Sequence, residues 1–173
     1  MRAPHFKPFD LDQLETLMNW FNTEQDVRDW AGPSIRFPFT ATSFTEDACV
    51  NQLDSIAMTD SSGELLAFGQ FYQRLDCCHL ARLVVSPQHR GQGLITELVE
   101  HLSKTGCQQL SVQRVSLFVG IHNLPALKVY RALGFTETHY PEPLPINGHL
   151  YLTRRQKNAE GETTFGEDQL QGS

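Results

Sequence analysis

The sequence predicts an α+β or α/β fold with a mixed β-sheet, because strand-like and helix-like segments follow one another in a characteristic order. Residues 55–86 carry three successive strand-like runs, which indicates an antiparallel meander. After them strand-like and helix-like runs alternate, an order typical of parallel strands connected by helices. The length of 173 residues fits a single domain. We expect that domain to cover residues 1–155, followed by an acidic tail at residues 156–173.

The N-terminal part is expected to form an edge strand, helices and a loop. The strand is Phe6–Phe9. An amphipathic helix capped by Asp10 is predicted by apolar residues at three- and four-residue spacing: Leu11, Leu14, Leu17, Met18 and Phe21. A second short helix is predicted at Thr23–Trp30, where a Gly-Pro pair stops it. Pro33–Thr45 is expected to be an irregular loop before a third helix near Glu46–Leu53.

The meander consists of Ser55–Thr59, Glu64–Tyr72 and His79–Ser86. The first two runs are separated by Asp-Ser-Ser-Gly, a turn composition, and therefore predict a hairpin. The third run is ended by a proline.

Two strand–helix alternations follow the meander. A helix is predicted from Leu94 by apolar residues at helical spacing, and Gly106 is expected to stop it. Val115–Val119 alternates as a strand. A further helix is predicted at Asn123–Leu133, with the asparagine as its cap and a glycine directly after it. Gly148–Thr153 is the last predicted strand.

Composition and charge argue against several classes of function. The chain has 14 Lys and Arg against 20 Asp and Glu, a net charge of −6, so it lacks the basic surface that nucleic acids or anionic membranes require. No apolar run is long enough for a membrane span or a signal core, so we expect a cytoplasmic protein. The four cysteines match neither a disulfide framework nor a paired zinc motif. Cys77, Cys78 and His79 would alternate between the faces of a strand, so no metal is expected.

The most informative stretch is Arg90–Thr96, here called the glycine turn, which follows the strand ending at Val85. A turn with two glycines at the start of a helix directs free backbone N–H groups, and the positive end of the helix dipole, into one concavity. Such a concavity suits a phosphate group, and Arg90 adds a cation. On the two glycines alone, a plain strand–helix turn with a surface arginine remains the simpler interpretation.

Two common phosphate-binding folds do not fit the glycine turn. A nucleotide-binding P-loop needs Gly-Lys-Ser or Gly-Lys-Thr, which is absent. A dinucleotide-binding fold needs a third glycine, where Thr96 stands, and an acidic residue about 20 positions further on. No Asp or Glu occurs between His101 and Thr136.

The segments Val85–Ile95 and Asn123–Phe135 form two sequence blocks that resemble the GNAT superfamily of acetyl-CoA-dependent N-acetyltransferases. In the first, Arg90-Gly91-Gln92-Gly93-Leu94-Ile95 follows Val85-Ser86-Pro87 and is similar to the family pattern Arg/Gln-x-x-Gly-x-Gly/Ala. Ile95 departs from that pattern. The second block is Asn123-Leu124-Pro125-Ala126-Leu127-Lys128-Val129-Tyr130-Arg131-Ala132-Leu133-Gly134-Phe135, similar to Asn-x-x-Ala-x-x-x-Tyr-x-x-x-Gly-Phe. The resemblance covers residues 64–153, whereas residues 1–50 match only in the order of elements.

The resemblance implies a mixed, mostly antiparallel sheet of about six to seven strands, flanked by about four helices. Two parallel strands, Leu83–Val85 and Val115–Val119, would splay apart and leave a cleft for acetyl-CoA. Residues 55–135 would form the acetyl-CoA-binding core and residues 136–155 the C-terminal strands. The residues implied in holding acetyl-CoA are Leu83, Val84, Val85, Arg90, Gly91, Gln92, Gly93, Leu94, Ile95, Thr96 and Asn123.

The resemblance also implies a mechanism, in which an amine attacks the thioester directly within a ternary complex. A backbone N–H at Val84 or Val85 would stabilise the developing oxyanion, and Tyr130 would protonate the leaving thiolate. Core packing is the alternative role for Tyr130, and helix capping is the alternative for Asn123. The alternative function is a catalytically weak CoA-binding sensor or partner protein on the same scaffold, because Ile95 departs from the pattern and no base is assigned.

The acceptor amine, a small molecule or a peptide, is expected to bind among residues 1–50. Eight of the 17 aromatic residues lie in the first 44 positions, and Trp30 and Phe37-Pro38-Phe39 are the candidates for a pocket wall. The candidate bases are His79, His122 and Glu46. Arg82 is expected either in a surface ion pair or facing the acceptor, where it would favour an amine that carries a carboxylate. The oligomeric state is expected to be monomer or homodimer.

Overall fold

The computed structural model describes residues 3–156, which form one seven-stranded sheet. The strands are β1 (His5–Pro8), β2 (Asp54–Thr59), β3 (Leu65–Arg74), β4 (Cys77–Val85), β5 (Arg114–Gly120), β6 (Thr136–Glu137) and β7 (His149–Arg155). The helices are α1 (Leu14–Met18), α2 (Glu24–Ala31), α3 (Ala41–Asp47), α4 (Leu94–Leu110) and α5 (Leu124–Ala132). Their order confirms the predicted α+β fold. The predicted acidic tail lies outside the described residues from position 157 onward.

The strands lie in the order β1-β2-β3-β4-β5-β7-β6, and every neighbouring pair is antiparallel except β4–β5, which is parallel. Helices α4 and α5 pack on one face of this sheet, here called the first face. Helices α1 to α3 pack on the other, the second face, around the buried side chains of Leu17, Val27 and Phe44. No helix within residues 3–156 is long and apolar enough to cross a membrane.

The segment before β2 differs from the prediction. The expected loop at Pro33–Thr45 and the expected helix near Glu46–Leu53 are both wrong, because α3 begins at Ala41 and ends at Asp47. Thr40 starts it, since its hydroxyl accepts a hydrogen bond from the Ser43 N–H at 3.1 Å and the Ser43 hydroxyl accepts one from the Thr40 N–H at 2.9 Å. In this reciprocal cap, serine occupies the position where glutamate usually indicates the start of a helix.

Helix α4 is longer than predicted, because Gly106 does not stop it. The helix continues to Leu110 and ends at Ser111, which has a φ of 56°. Gly106 instead lies in the interface with the first face of the sheet. A Cβ at this position would come within 3.0 Å of the Phe71 ring and would overlap the sulfur of Cys78. Glycine therefore allows the helix to approach the sheet closely at this point.

The parallel strands β4 and β5 separate halfway along their length, as the resemblance implied. They pair from Cys77 opposite Arg114 to Leu80 opposite Leu117, and no pairing follows beyond that position. The separation coincides with a bulge in β4, where Arg82 and Leu83 together oppose Gly69 of β3. The sheet thus holds a wedge-shaped gap between the C-terminal halves of its two central strands.

Candidate active site

A cavity of about 300 Å³ lies at the gap between β4 and β5. The strands contribute Tyr72, Arg74, His79, Leu80, Ala81, Arg82, Leu83, Leu117, Phe118, Val119 and Gly120 to its wall. The first residue of β7 adds His149, and the surrounding segments contribute Asp29, Trp30, Ala31, Gly32, Ser34, Asn123, Ala126, Tyr130, Pro145 and Ile146. The cavity therefore joins the centre of the sheet to the segments before β2 and between β6 and β7.

One edge of the gap is a strand with unpaired backbone groups. The Ser86 N–H donates to the Leu66 carbonyl of the segment leading into β3 at 2.8 Å. Because alternate residues of a strand point their peptide groups to opposite sides, Val84 also faces β3 and Val85 faces the gap. Leu83 lies in the bulge without a partner in β3. These groups can pair with an extended ligand much as a further strand would.

The same strand leads into the glycine turn. Gly91 and Gly93 have φ angles of 78° and 77°, in the left-handed region that glycine adopts without strain. No side chain caps the start of α4, so the first N–H groups of the helix are free for a ligand. A Cβ added at either glycine would meet no atom within 4 Å. The space in front of these amides is therefore open, and Arg90 is exposed beside it. An anion such as a pyrophosphate fits this arrangement.

Tyr130 of α5 lies on the cavity wall. It is 8% exposed, and its ring meets that of Phe135 edge-on, with the ring centroids 6.0 Å apart. Burial raises the pKa of its phenol to about 12, so the group stays protonated at neutral pH. Its hydroxyl makes no hydrogen bond to any residue between positions 3 and 156, which leaves it free for a ligand. The residue thus both packs in the core and presents a proton to the cavity.

Asn123 combines its two predicted roles in one position. Its side-chain carbonyl accepts a hydrogen bond from the Ala126 N–H at 3.3 Å, which caps α5. The residue is exposed and also lies on the cavity wall. Capping therefore does not remove it from reach of a ligand.

Of the three candidate bases, only His79 lies on the cavity wall. It is 2% exposed, and its Nδ1 shares a hydrogen bond with the Ser116 hydroxyl at 2.8 Å. Burial, together with the nearby charge of Arg74, lowers its pKa to about 3, so the ring is a weak base. Glu46 instead forms an exposed ion pair with Arg36 at 2.9 Å. His122 is exposed and outside the wall, so neither residue faces the cavity.

The two aromatic candidates for the wall differ in position. Trp30 lies on the wall and stacks on Phe21, with the ring centroids 4.4 Å apart. Phe37 and Phe39 do not line the cavity. Phe39 packs edge-on against the buried Phe44, with the centroids 5.0 Å apart. The expectation for Phe37-Pro38-Phe39 is therefore wrong, because these rings extend the core that α3 builds.

The family model for the acetyltransferase (GNAT) family matches residues 14–135, which is more than half of the chain. The chain belongs to the GNAT family. The match covers the gap between β4 and β5, the glycine turn and Tyr130. The resemblance inferred from the two sequence blocks is thereby confirmed.

The chain is also similar to individual N-acetyltransferases. The chain is 31% identical over 75 residues to an uncharacterised N-acetyltransferase of Schizosaccharomyces pombe, a stretch that covers 40% of this chain and 43% of that protein. It is 25% identical over 101 residues to a candidate ribosomal protein bS18-alanine N-acetyltransferase of Bacillus subtilis, covering 58% of this chain and 66% of that one. The matched stretches thus span less than half of the first relative and about two thirds of the second.

A solved N-acetyltransferase structure supports the fold. The spermidine N-acetyltransferase from Vibrio cholerae, in complex with CoA and spermine, superposes with a TM-score of 0.68 at 17% identity. The superposition covers 88% of this chain and 95% of that chain. The GNAT-like fold predicted from the sequence blocks is therefore confirmed.

Several residues of the wall were not predicted from the sequence. Tyr72 and Arg74 extend from β3, Phe118 from β5, and His149 begins β7. His149 Nδ1 is 3.0 Å from the Asn147 carbonyl. A carbonyl can only accept a hydrogen bond, so Nδ1 is the donor in this contact. The alternation of side chains along β3 and β5 was the signal available for these residues. It could not place them on one wall, because the register between the strands was not known.

Among residues 3–156 no cluster of three or more His, Cys, Asp or Glu side chains could hold a metal ion.

Proposed function

We propose that this GNAT protein transfers an acetyl group from acetyl-CoA to an amine. The observation that supports the proposal best is that three parts of the site adjoin one another. The unpaired backbone of β4 leads directly into the glycine turn, and Tyr130 lies in the same cavity. Bound acetyl-CoA supplies an acetyl group activated as a thioester. Every other part of the chemistry falls to side chains and peptide groups of this chain.

Three parts of the chain are assigned to holding the cosubstrate. The backbone amides of the glycine turn, from Arg90 through Gly91, Gln92, Gly93, Leu94 and Ile95 to Thr96, bind the pyrophosphate. Leu83 and Val85 pair with the pantetheine arm through peptide groups that face the gap. Asn123 meets the same arm from the start of α5. These roles fit two observations. The space in front of the glycines is open, and β4 no longer pairs with β5 beyond Leu80.

The N–H that stabilises negative charge on the thioester oxygen is assigned to Val85. The sequence left Val84 and Val85 as alternatives, and the direction of their peptide groups favours the second. Val84 points to β3, whereas Val85 points into the gap. A donor aimed at a developing oxyanion from a rigid strand needs little reorganisation during the reaction.

Proton transfer is assigned to Tyr130 and to His149, which both lie on the cavity wall. A phenol whose pKa is about 12 remains protonated at neutral pH and can donate to a leaving thiolate. His79 is too weak a base to hold the proton of an ammonium group, because its pKa is about 3. His149 lies on the same wall with its Nδ1 hydrogen-bonded to the Asn147 carbonyl, and its Nε2 is assigned the role of accepting that proton.

The proposal predicts thiol release from acetyl-CoA in the presence of a suitable amine, and a loss of that activity in Tyr130→Phe. Removal of the phenolic proton should lower kcat by about 100-fold or more, with little change in the Kd for acetyl-CoA. A panel of amines, amino acids and peptides, read out by thiol release, provides the measurement.

Tyr151→Phe is the matched control for this variant. Tyr151 is 4% exposed and burial raises its pKa to about 12 as well, but its hydroxyl donates to Cys77 Sγ and it does not line the cavity. Its activity should remain near that of the wild type. If acetyl-CoA raises the Tm while no amine is turned over and Tyr130→Phe changes nothing, the CoA-binding sensor is the correct function instead.

A further inference from the structure

Two arginines on the cavity wall, Arg74 and Arg82, lack a counter-charge. Neither forms an ion pair with any residue between positions 3 and 156. The arginines that do pair with carboxylates are Arg28, Arg36 and Arg154. Asp29 is the one acidic side chain on the described wall, and its carboxylate accepts a hydrogen bond from Gln25 at 2.7 Å. The surface ion pair considered for Arg82 from the sequence is therefore wrong.

Arg82 is held in place by a buried amide. Its Nη1 donates to the Oε1 of Gln70 at 2.9 Å, and Gln70 is fully buried. The Gln70 Nε2 donates to the Ala48 carbonyl at 2.8 Å and to the Ser55 hydroxyl at 3.0 Å, which fixes the Oε1 as the acceptor for Arg82. The Nε of Arg82 is buried and has no hydrogen-bond partner in the described part of the chain. The Nη hydrogens that Gln70 does not accept thus remain for a ligand.

The backbone at Arg82 is arranged to bring its side chain to the cavity. Its φ is 50°, a left-handed conformation that is unfavourable for a large side chain. The residue lies in the bulge opposite Gly69. Ala81 is paired with Gln70 and lies on the second face of the sheet. Regular alternation would therefore place the Arg82 side chain on the first face, toward α4. The bulge prevents this and leaves Arg82 on the cavity wall.

Arg74 is positioned by neutral groups that leave its charge intact. Its guanidinium donates to the Tyr72 hydroxyl at 2.8 Å and to the Tyr140 hydroxyl at 2.9 Å. It also lies over the ring of Phe118, 5.1 Å from the centroid. These contacts fix the orientation of the cation within the cavity, but none of them neutralises it.

We propose that the acceptor is an amine that also carries a carboxylate, as an amino acid does, and that Arg82 and Arg74 bind this carboxylate. The inference rests on the proposed acetyl transfer and names its substrate class. A half-buried guanidinium without a counter-charge has lost part of its hydration, so an anion that offers charge-assisted hydrogen bonds binds it strongly. The same two cations repel a polyamine, which has no anionic group to offer.

The test compares each amino acid with its own amide, which lacks the carboxylate charge, and adds a polyamine. The probes are the common amino acids, each as the free acid and as its primary amide, together with spermidine, and thiol release from acetyl-CoA is measured. For the best acceptor, the acid should exceed its own amide at least about tenfold in kcat/KM, mainly through KM, and spermidine should be poorer than both. Amides that equal their acids, or spermidine as the best acceptor, would overturn the inference.

Variants of the two arginines locate the effect. Arg82→Gln and Arg74→Gln should each move the acid-to-amide ratio toward one, whereas Arg82→Lys should retain part of it because the charge remains. Arg155→Gln removes the same charge from an exposed residue at the end of β7 that is outside the cavity wall, and should leave the ratio unchanged. An unchanged ratio in the folded Arg82 and Arg74 variants would contradict the assignment.

A binding measurement separates failure of this inference from failure of the proposed function. If no amine is turned over, acids and amides are titrated by calorimetry into the protein in the presence of CoA. Binding of acids but not amides, lost in Arg82→Gln, would support the carboxylate site even though acetyl transfer had failed. Equal binding of both, or binding of neither, would overturn the site.

Discussion

Two glycines determine the shape of the turn before α4. Gly91 and Gly93 adopt φ angles of 78° and 77°, which cost other residues about 1 kcal/mol or more. The positive φ is the only constraint that the described part of the folded chain places on them, since no atom beyond the neighbouring residues lies within 4 Å of a Cβ added at either position. We therefore expect a substitution there to affect a ligand more than the fold.

Gly93→Glu should abolish binding of acetyl-CoA while the protein stays folded. The carboxylate would stand before the free amides of α4, where it repels the pyrophosphate and occupies its space. We expect the Kd, measured by calorimetry, to rise at least about 100-fold, which corresponds to about 2.7 kcal/mol.

Gly63→Glu is the matched control for this prediction. Gly63 also has a positive φ, 88°, and no atom within 4 Å of an added Cβ, but it lies in the turn between β2 and β3. Both variants should lose about 1 kcal/mol of unfolding free energy through backbone strain, and only Gly93→Glu should lose the ligand. An unchanged Kd in Gly93→Glu would show that the phosphate site lies elsewhere.

Local sequence patterns predicted some site residues and could not predict others. Tyr130 and the glycine turn belong to contiguous blocks, so the blocks themselves identify them. Arg74 and Arg82 belong to neither block. Their position on the same cavity wall depends on the strand register and on the bulge opposite Gly69. A bulge leaves little trace in a single sequence, because it shifts alternation by one residue without requiring a particular amino acid.

Helix α4 shows how a contact between two elements overrides a local signal. Glycine is a common end of helices, and this is why the sequence predicted a stop at Gly106. The helix continues because its apolar residues keep facing the sheet for another turn, up to Leu110. At Gly106 the side chains of Cys78 and Phe71 approach so closely that only a residue without a side chain fits.

Gly106→Ala should destabilise the protein although alanine is the better helix former. Alanine gains about 1 kcal/mol of helix propensity, but its Cβ would overlap Cys78 Sγ and press on Phe71, and overpacking of this kind costs about 1–3 kcal/mol. Urea unfolding should therefore show a lower free energy of unfolding. In a Cys78→Ala background the cost of Gly106→Ala should fall by about half or more. Equal costs in the two backgrounds would mean that the sulfur is not the obstacle.

The second face of the sheet collects polar side chains from across the whole molecule. Arg74 binds Tyr72 and Tyr140, His79 binds Ser116, and these groups come from β3, β4, β5 and the segment before β7. The order of elements in the sequence was enough to predict the mixed sheet and its helices, except for the position of α3 and the end of α4. The polar cluster was not predictable, because residues about 40 to 70 positions apart meet only once the register of four strands is known.

His79 makes the stability of the whole protein depend on pH. In the folded chain its pKa is about 3, because burial and the charge of Arg74 oppose protonation, against the ordinary 6.5 of an unfolded histidine. Between pH 6.5 and about 3 the unfolded chain therefore binds a proton that the folded chain does not. The free energy of unfolding should decrease as the pH falls through this window, by up to ~1.4 kcal/mol per pH unit from this residue.

His79→Asn removes the titrating group while an amide can still bond to Ser116. The free energy of unfolding of the wild type minus that of the variant, measured in urea at pH 7.5, 6 and 5, should be largest at the highest pH and should shrink as the solution becomes acidic. His101→Asn provides a comparison, since burial also lowers the pKa of His101 but the ring is only half-buried, stacked on Phe6. Its effect should have the same sign and be weaker. If the free energies of unfolding of the wild type and His79→Asn change in parallel with pH, His79 is protonated as easily in the folded chain as in the unfolded one. The buried histidine would then not be the source of the acid sensitivity.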